Sequence, residues 1–396
     1  MKKLVYYDIG SILRLMIKTK SNYGWIIGER SFGKTFQYKK LGLNGYEDKK
    51  AIDGVKLSLK GFIQDGSELA IIRRWDTDFV GETGKTFFDD FVNGKDENGK
   101  AINRIYEWTN GEWDRVSYYG RAWYLAKWDD DLNKVIRCDR PFARAFALSI
   151  MEHYKSSQYP NLRYIVYEEC VSSKPNGYLV DEFSILMNMI STLVRDRDDV
   201  MIFLVGNSIS AYCPLYEEFG IGEIIRSLKT NEMKVVDYGE SELHLVVEHT
   251  DSAQSSGGKA SDKLFAFNNP KLRMITHGEF ALEIYPHNPY RYKSTDVRFR
   301  YFIKYLNEIY QADVVRMNGG LSFTFIHKKT GDIKNDDTDL VYSLDYNAKR
   351  NYRRRFDRPV SKKEKIITKH FYLDKVYYQD NMVGEAINSY IRDSKK

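Results

Sequence analysis

The sequence predicts an α/β fold. Residues 1–218 read as one domain with a mostly parallel sheet, interrupted at 80–135 by an antiparallel β insertion. A linker or lid region at 219–285 and a smaller α+β domain at 286–396 follow. Three observations carry this. Apolar runs of strand length alternate with helical periodicity between 23 and 205. A glycine-bearing loop joins the first such run to a helix start. The 396 residues are too many for one ordinary core.

Taken in order, Tyr23 to Ile27 is a short buried strand running into Gly28-Glu-Arg-Ser-Phe-Gly-Lys-Thr35, after which Phe36 and Tyr38 suit a helix. Glu68-Leu-Ala-Ile-Ile-Arg73 is a second compact strand. Ile105 to Trp113 carries Asn110-Gly111 between strand-like arms, which predicts a hairpin. Tyr118 to Trp128 continues in aromatic, strand-like fashion. Arg163 to Tyr167 is a strand ending in Glu168-Glu169. Phe183, Leu186, Met187, Ile190, Leu193 and Val194 then recur at helical spacing. Val200 to Val205 is a fully apolar strand stopped by Gly206-Asn207-Ser208. Beyond 219 the pattern loosens, and Ser252 to Lys263 is Gly/Ser-rich, as in a mobile loop. Leu321 to His327 alternates like a strand, and Gly384 to Ile391 suits a short helix.

The loop at 28–35 has the form G-x-x-x-x-G-K-T, which fixes a ligand class. Its backbone N–H groups, from Gly28 through Arg30, Ser31, Phe32 and Gly33, are suited to cradle phosphates. Lys34 reaches the β- and γ-phosphates. Thr35 offers a hydroxyl to Mg²⁺ and opens a helix whose N-terminus favours anions. The expected cofactors are therefore ATP and Mg²⁺. Hydrolysis also needs an acid near the metal and a group acting on water. Glu168 and Glu169, at the tip of an apolar strand, suit these two tasks, although two solvated acids at a strand end are also common. If the 200–205 strand lies between the loop strand and the acidic one, Asn207 points at the γ-phosphate. Arg195 and Arg197, at a helix end, suit neutralisation of charge in a neighbouring subunit's site or an ordinary surface Arg/Asp network. Arg30 is a further candidate for that charge.

Composition narrows the classes. No apolar run approaches the ~20 residues of a membrane span. The first residues lack an apolar core with a small-residue cleavage site, so an intracellular protein with no membrane partner is expected. Cys138, Cys170 and Cys213 make neither a disulfide framework nor a zinc site. Residues 291–396 hold 23 basic and 14 acidic side chains against 38 and 41 elsewhere. The positive charge therefore belongs to the C-terminal quarter. It is densest from Lys349 to Lys365, with Tyr352 and Phe356 interleaved. Such a patch suits nucleic-acid phosphates, an acidic protein surface or plain solvation.

Together these residues resemble the DNA-packaging motor ATPases, or encapsidation proteins, of small tailed bacteriophages with protein-primed linear genomes. That family is a branch of the additional-strand P-loop ATPases related to large terminases. Its loop pattern G-x-R-x-x-G-K-[ST] is matched by Gly28, Arg30, Gly33, Lys34 and Thr35. Its second block is similar to Lys155-Ser-Ser-Gln-Tyr-Pro-Asn161 followed by Ile165 to Glu169. Asp181 to Ile190, Leu193 to Arg197 and Asn207-Ser208 follow its later blocks. Where the family has Asp, this chain has Glu168, and the 80–135 insertion is longer than in the family.

The resemblance implies a homopentameric ring at the capsid portal that threads double-stranded DNA, acting in the host cytoplasm. It implies that Arg195 acts in trans on the neighbour's ATP and that Lys155 reaches across the same interface. It implies a degenerate, inactive RNase H-like nuclease fold at the C-terminus. Asp336, Asp337, Asp339 and Asp345 sit in a turn-rich stretch that suits a solvated loop better than a metal cluster. Two other readings stay open: another ring-shaped P-loop ATPase, such as a helicase or partition motor, and a scaffold that binds nucleotide without hydrolysing it.

Overall fold

The computed structural model describes residues 7–28, 33–48, 51–52, 54–96, 99–155, 157–172, 177–208, 213–239, 242–250 and 285–395. The chain divides into two compact units, Met1–Glu279 and Phe280–Lys396.

In the first unit the main elements are α1 (Gly10–Lys18), β1 (Tyr23–Gly28), α2 (Lys34–Asn44), β2 (Glu68–Arg73), α3 (Arg104–Trp108), β3 (Arg115–Tyr119), β4 (Ala122–Asp129), β5 (Lys134–Arg137), β6 (Ala143–Ala147), β7 (Leu162–Glu168), α4 (Glu182–Val194), β8 (Met201–Asn207), β9 (Glu232–Asp237) and β10 (His244–Thr250). The strands form one sheet in the order β9-β10-β1-β8-β7-β2-β6-β4-β3, with β5 paired to β4. From β10 to β6 every neighbour is parallel. The flanks, β9 at one side and β3, β4 and β5 at the other, are antiparallel.

The central strands are buried on both faces, which is why they read as unbroken apolar runs. The two-residue side-chain period then decides which face each residue serves. Ile165 and Tyr167 of β7 join Leu186, Met189 and Leu193 of α4 in one core. Tyr164 and Val166 join Tyr38 and Leu41 of α2 in the other. Glu168 continues the second series and so faces α2.

Two expectations are corrected. Asn110-Gly111 does not turn a hairpin. Asn103 caps a helix there, its side chain accepting from the Tyr106 N–H at 3.0 Å. Asn110 and Gly111 have positive φ because they close that helix, the Gly111 N–H returning to the Tyr106 carbonyl at 2.8 Å. The same left-handed dipeptide serves a hairpin or a helix exit, and the capping Asn decides. The true hairpin joins β3 to β4 through Gly120-Arg121, both left-handed. Nor is 219–250 a linker, because β9 and β10 complete the sheet beside β1. The Gly/Ser-rich stretch 252–263 lies outside the described residues.

In the second unit β11 (Val297–Tyr305), β12 (Glu308–Arg316) and β13 (Ser322–Lys328) form an antiparallel meander. β14 (Leu340–Ser343), β15 (Tyr352–Arg353) and β16 (Val376–Tyr378) add in parallel, giving the order β15-β14-β11-β12-β13-β16. Helices α5 (Lys362–Tyr372) and α6 (Asn381–Ser394) are capped by the side chains of Ser361 and Asp380. Phe356 of the basic stretch is buried against Tyr342, ring centroids 4.0 Å apart, so it packs this core.

Candidate active site

The carboxyl ends of β1, β8 and β7 meet at one edge of the sheet. β8 is the strand between the glycine-loop strand and the acidic strand, and Gly28 lies level with Asn207. On the other side Gly28 abuts β10 so closely that a Cβ would stand 2.2 Å from the Thr250 carbonyl oxygen. Only glycine fits. At the far end of the loop Gly33 has φ +97°, a conformation that admits glycine readily, and α2 begins at the next residue. Arg30, Ser31 and Phe32 lie outside the described residues.

Lys34 is buried, and its ammonium donates to the Gly28 carbonyl at 3.0 Å and to Asn207 Oδ1 at 3.3 Å. Thr35 Oγ1 donates to Glu168 Oε1 at 2.7 Å. Glu168 is 4% exposed, and its second oxygen accepts from Arg73 Nε at 2.9 Å and Nη2 at 2.6 Å. Burial works against the Arg73 charge, but the Glu168 and Glu169 carboxylates outweigh it and raise the guanidinium pKa above its ordinary value. Glu169 follows in the left-handed region at φ +56°, with its side chain 65% exposed. That conformation costs a non-glycine residue roughly 1 kcal/mol.

These groups line a cavity of about 800 Å³ that takes in Gly33, Lys34, Thr35, Glu168, Glu169 and Asn207. Its outer wall comes from the insertion, where Arg104 lies over the Phe36 ring at 5.2 Å and donates to the Lys95 carbonyl at 2.7 Å. The cavity has the size of a small-molecule site. A buried ammonium beside a helix N-terminus suits phosphate. The Thr35 hydroxyl and Glu168 carboxylate, an all-oxygen pair, suit a hard cation such as Mg²⁺.

Arg195 and Lys155 are not part of this constellation. Arg195 is exposed at the C-terminal end of α4, where it donates to the Ser157 carbonyl at 2.9 Å. Arg197 braces the same region through the carbonyls of Leu162, Pro160 and Leu193. Leu162 opens β7 and Glu168 ends it, so these arginines stand at the opposite edge, about 20 Å away along the strand. Lys155 pairs with Glu152 at 2.6 Å on the surface.

The sequence reading missed Arg73. A signal was present: two apolar strands each end in a charged doublet, Arg73-Arg74 and Glu168-Glu169, of opposite sign. The pairing of Tyr167 with Ile72 sets the doublets side by side.

In the second unit Asp336 accepts from Lys349 at 2.7 Å, Tyr352 at 2.6 Å and Lys304 at 3.0 Å. The Lys349 and Tyr352 hydrogen bonds hold its carboxyl well below the usual carboxylate range. Among the described residues no three His, Cys, Asp or Glu side chains converge on a metal position, and no helix is long and apolar enough to cross a membrane.

Residues 136–252 match the family model for the podovirus DNA encapsidation protein (Gp16). The match takes in β7, α4, β8 and β10, and leaves out the glycine loop. The DNA packaging protein of Bacillus phage phi29 is 33% identical over 78 residues, 19% of this chain and 24% of that protein. The DNA packaging protein of Bacillus phage B103 is 27% identical over 120 residues, 30% of this chain and 34% of that protein. The chain thus spans about a quarter to a third of the length of these curated relatives. A chain of the bacteriophage phi29 viral genome packaging motor assembly shares the fold, with a TM-score of 0.55, 17% identity, and 98% of this chain and 99% of that chain covered. The resemblance to phage DNA encapsidation proteins holds, and with it a mixed α/β fold built on a large, mostly parallel sheet.

Proposed function

We propose, from this likeness to phage encapsidation proteins, that the chain is an ATP-driven double-stranded DNA translocase that packages a viral genome into a procapsid. The observation that carries the reading is the placement of β8 between β1 and β7, with Lys34, Thr35, Glu168, Glu169 and Asn207 converging on one cavity. The loop residues Gly28, Arg30, Ser31, Phe32 and Gly33 cradle the triphosphate with Lys34. Thr35 and Glu168 hold Mg²⁺, which when bound offsets charge on the β- and γ-phosphates. Glu169, exposed to the cavity, takes a proton from water. Asn207, already joined to Lys34, senses the γ-phosphate.

Arg195 and Lys155, remote from the cavity of their own chain, act on a neighbour's site in a pentameric ring at the portal. The six-stranded mixed sheet of the second unit supports a degenerate RNase H-like fold. Asp336 and Asp337 are engaged by lysines, and exposed Arg350, Arg358, Lys362, Lys363 and Lys365 suit DNA phosphates. The work takes place in the host cytoplasm, at the portal vertex.

The test is steady-state ATP hydrolysis with and without double-stranded DNA, beside Glu169→Gln and Arg195→Ala. DNA should stimulate turnover, each variant should abolish it, and mixing the two should restore part. Turnover indifferent to DNA, or active variants, would overturn the motor reading.

A further inference from the structure

Glu169 holds its left-handed backbone without being glycine, and the structure around it accounts for this. Arg74, 7% exposed, reaches under the turn. Its Nη1 donates to the Glu169 carbonyl at 3.3 Å and its Nη2 to the Cys170 carbonyl at 3.0 Å. The Cys170 N–H meanwhile donates to the Val205 carbonyl at 3.1 Å, tying the turn to β8. The other edge of the guanidinium is gripped by Glu182, the first residue of α4, through Nε at 2.6 Å and Nη2 at 2.9 Å. Glu182, 4% exposed, is itself fixed by the Tyr167 hydroxyl at 2.7 Å and the Leu179 N–H at 2.8 Å. The Tyr178 ring lies 4.9 Å from the guanidinium and closes one side.

We infer that Arg74, oriented by Glu182, is a positioning residue that fixes the Glu169 carboxylate over the cavity. The inference rests on the reading of Glu169 as the group that acts on water. Arg74 and Glu182 do not line the cavity, so neither binds the nucleotide. Their work is on the backbone that aims Glu169. The planar fork is needed, because one edge binds a carboxylate while the other binds two carbonyls. Lysine keeps the charge opposite Glu182 but cannot span both. Arg74 is buried beneath the turn, so solvent replaces the lost bonds poorly. Freed of them, the residue 169 backbone leaves the left-handed region, and misplacement on the scale of 1 Å costs turnover heavily.

The experiment uses the full chain with double-stranded DNA, reading ATP turnover together with the affinity of β,γ-imido-ATP. Arg74→Lys should lower kcat at least tenfold while the analogue's Kd stays within twofold. Should Arg74→Lys fail to fold, Tyr167→Phe, which removes only the hydroxyl from Glu182, carries the test with an expected threefold loss in kcat at unchanged Kd. Losses of kcat and affinity in step, or an unchanged kcat, would overturn the inference. Wild-type chain without turnover, or an active Glu169→Gln variant, would instead sink the ATPase reading itself.

Discussion

Replacing Arg73 with Met leaves Glu168 as a buried carboxylate without its guanidinium, the Thr35 hydroxyl still donating to it. The side chains are 16% and 5% exposed, and two guanidinium hydrogen bonds disappear. Removing one member of a buried pair costs about 3–5 kcal/mol. The surviving Thr35 hydrogen bond and the partial exposure of Arg73 put this case near ~3 kcal/mol. For a unit of this size that corresponds to a fall in Tm of about 6 °C. Tryptophan fluorescence is a clean reporter, since Trp25, Trp75, Trp108, Trp113, Trp123 and Trp128 all lie in the first unit. The penalty is one of orphaned charge, so Arg73→Met with Glu168→Gln should recover about 2 kcal/mol of it. A single variant that melts with the wild type, or a double variant no more stable than the single, would refute the reasoning.

Burial pushes the Glu248 carboxyl up to about 7, against the Tyr7 hydroxyl that donates to it at 2.6 Å. A folded pKa raised above the unfolded value of 4.5 means that this contribution is full at low pH and is lost as pH rises through about 7. Glu248→Gln should therefore stabilise the chain by roughly 1 kcal/mol at pH 5 and about 3 kcal/mol at pH 8 in urea melts; a pH-independent difference would count against it. Gly28→Ala forces a Cβ to within 2.2 Å of the Thr250 carbonyl oxygen, so it should destabilise the first unit by about 3 kcal/mol, at the upper end for overpacking. A variant as stable as the wild type would show that β1 and β10 do not pack as described.

Much of this site was legible before the structure, for a physical reason. Strands buried on both faces write themselves as unbroken apolar runs, and the residues that stop them stand out. Gly28, the Glu168-Glu169 pair and Asn207 all terminate such runs. The order of the strands was not legible, because local pattern carries no information about which parallel neighbour a strand takes. Asn207 was therefore tied to the site only on condition that β8 lie beside β1, and the sheet meets that condition. The hairpin at 105–113 failed because Asn-Gly marks positive φ and not the element it ends. The β9–β10 pair was hidden by polar residues on an edge strand, whose burial alternates. Arg73 and Arg74 were passed over because arginines closing a strand look like solvated termini until the opposing acids are set beside them.

The strand order also sets a timetable for biosynthesis. Lys34 and Asn207, 173 positions apart, are neighbours only once β8 has formed, and β1 finds both of its sheet partners in segments that leave the ribosome far behind it. At about 5–20 residues per second, the apolar Trp25-Ile26-Ile27 run waits roughly 10–40 s for those partners. Pairings so distant in sequence are slow to close. A nascent chain released before β8 can present a glycine loop, but it has no sheet on which to hold it.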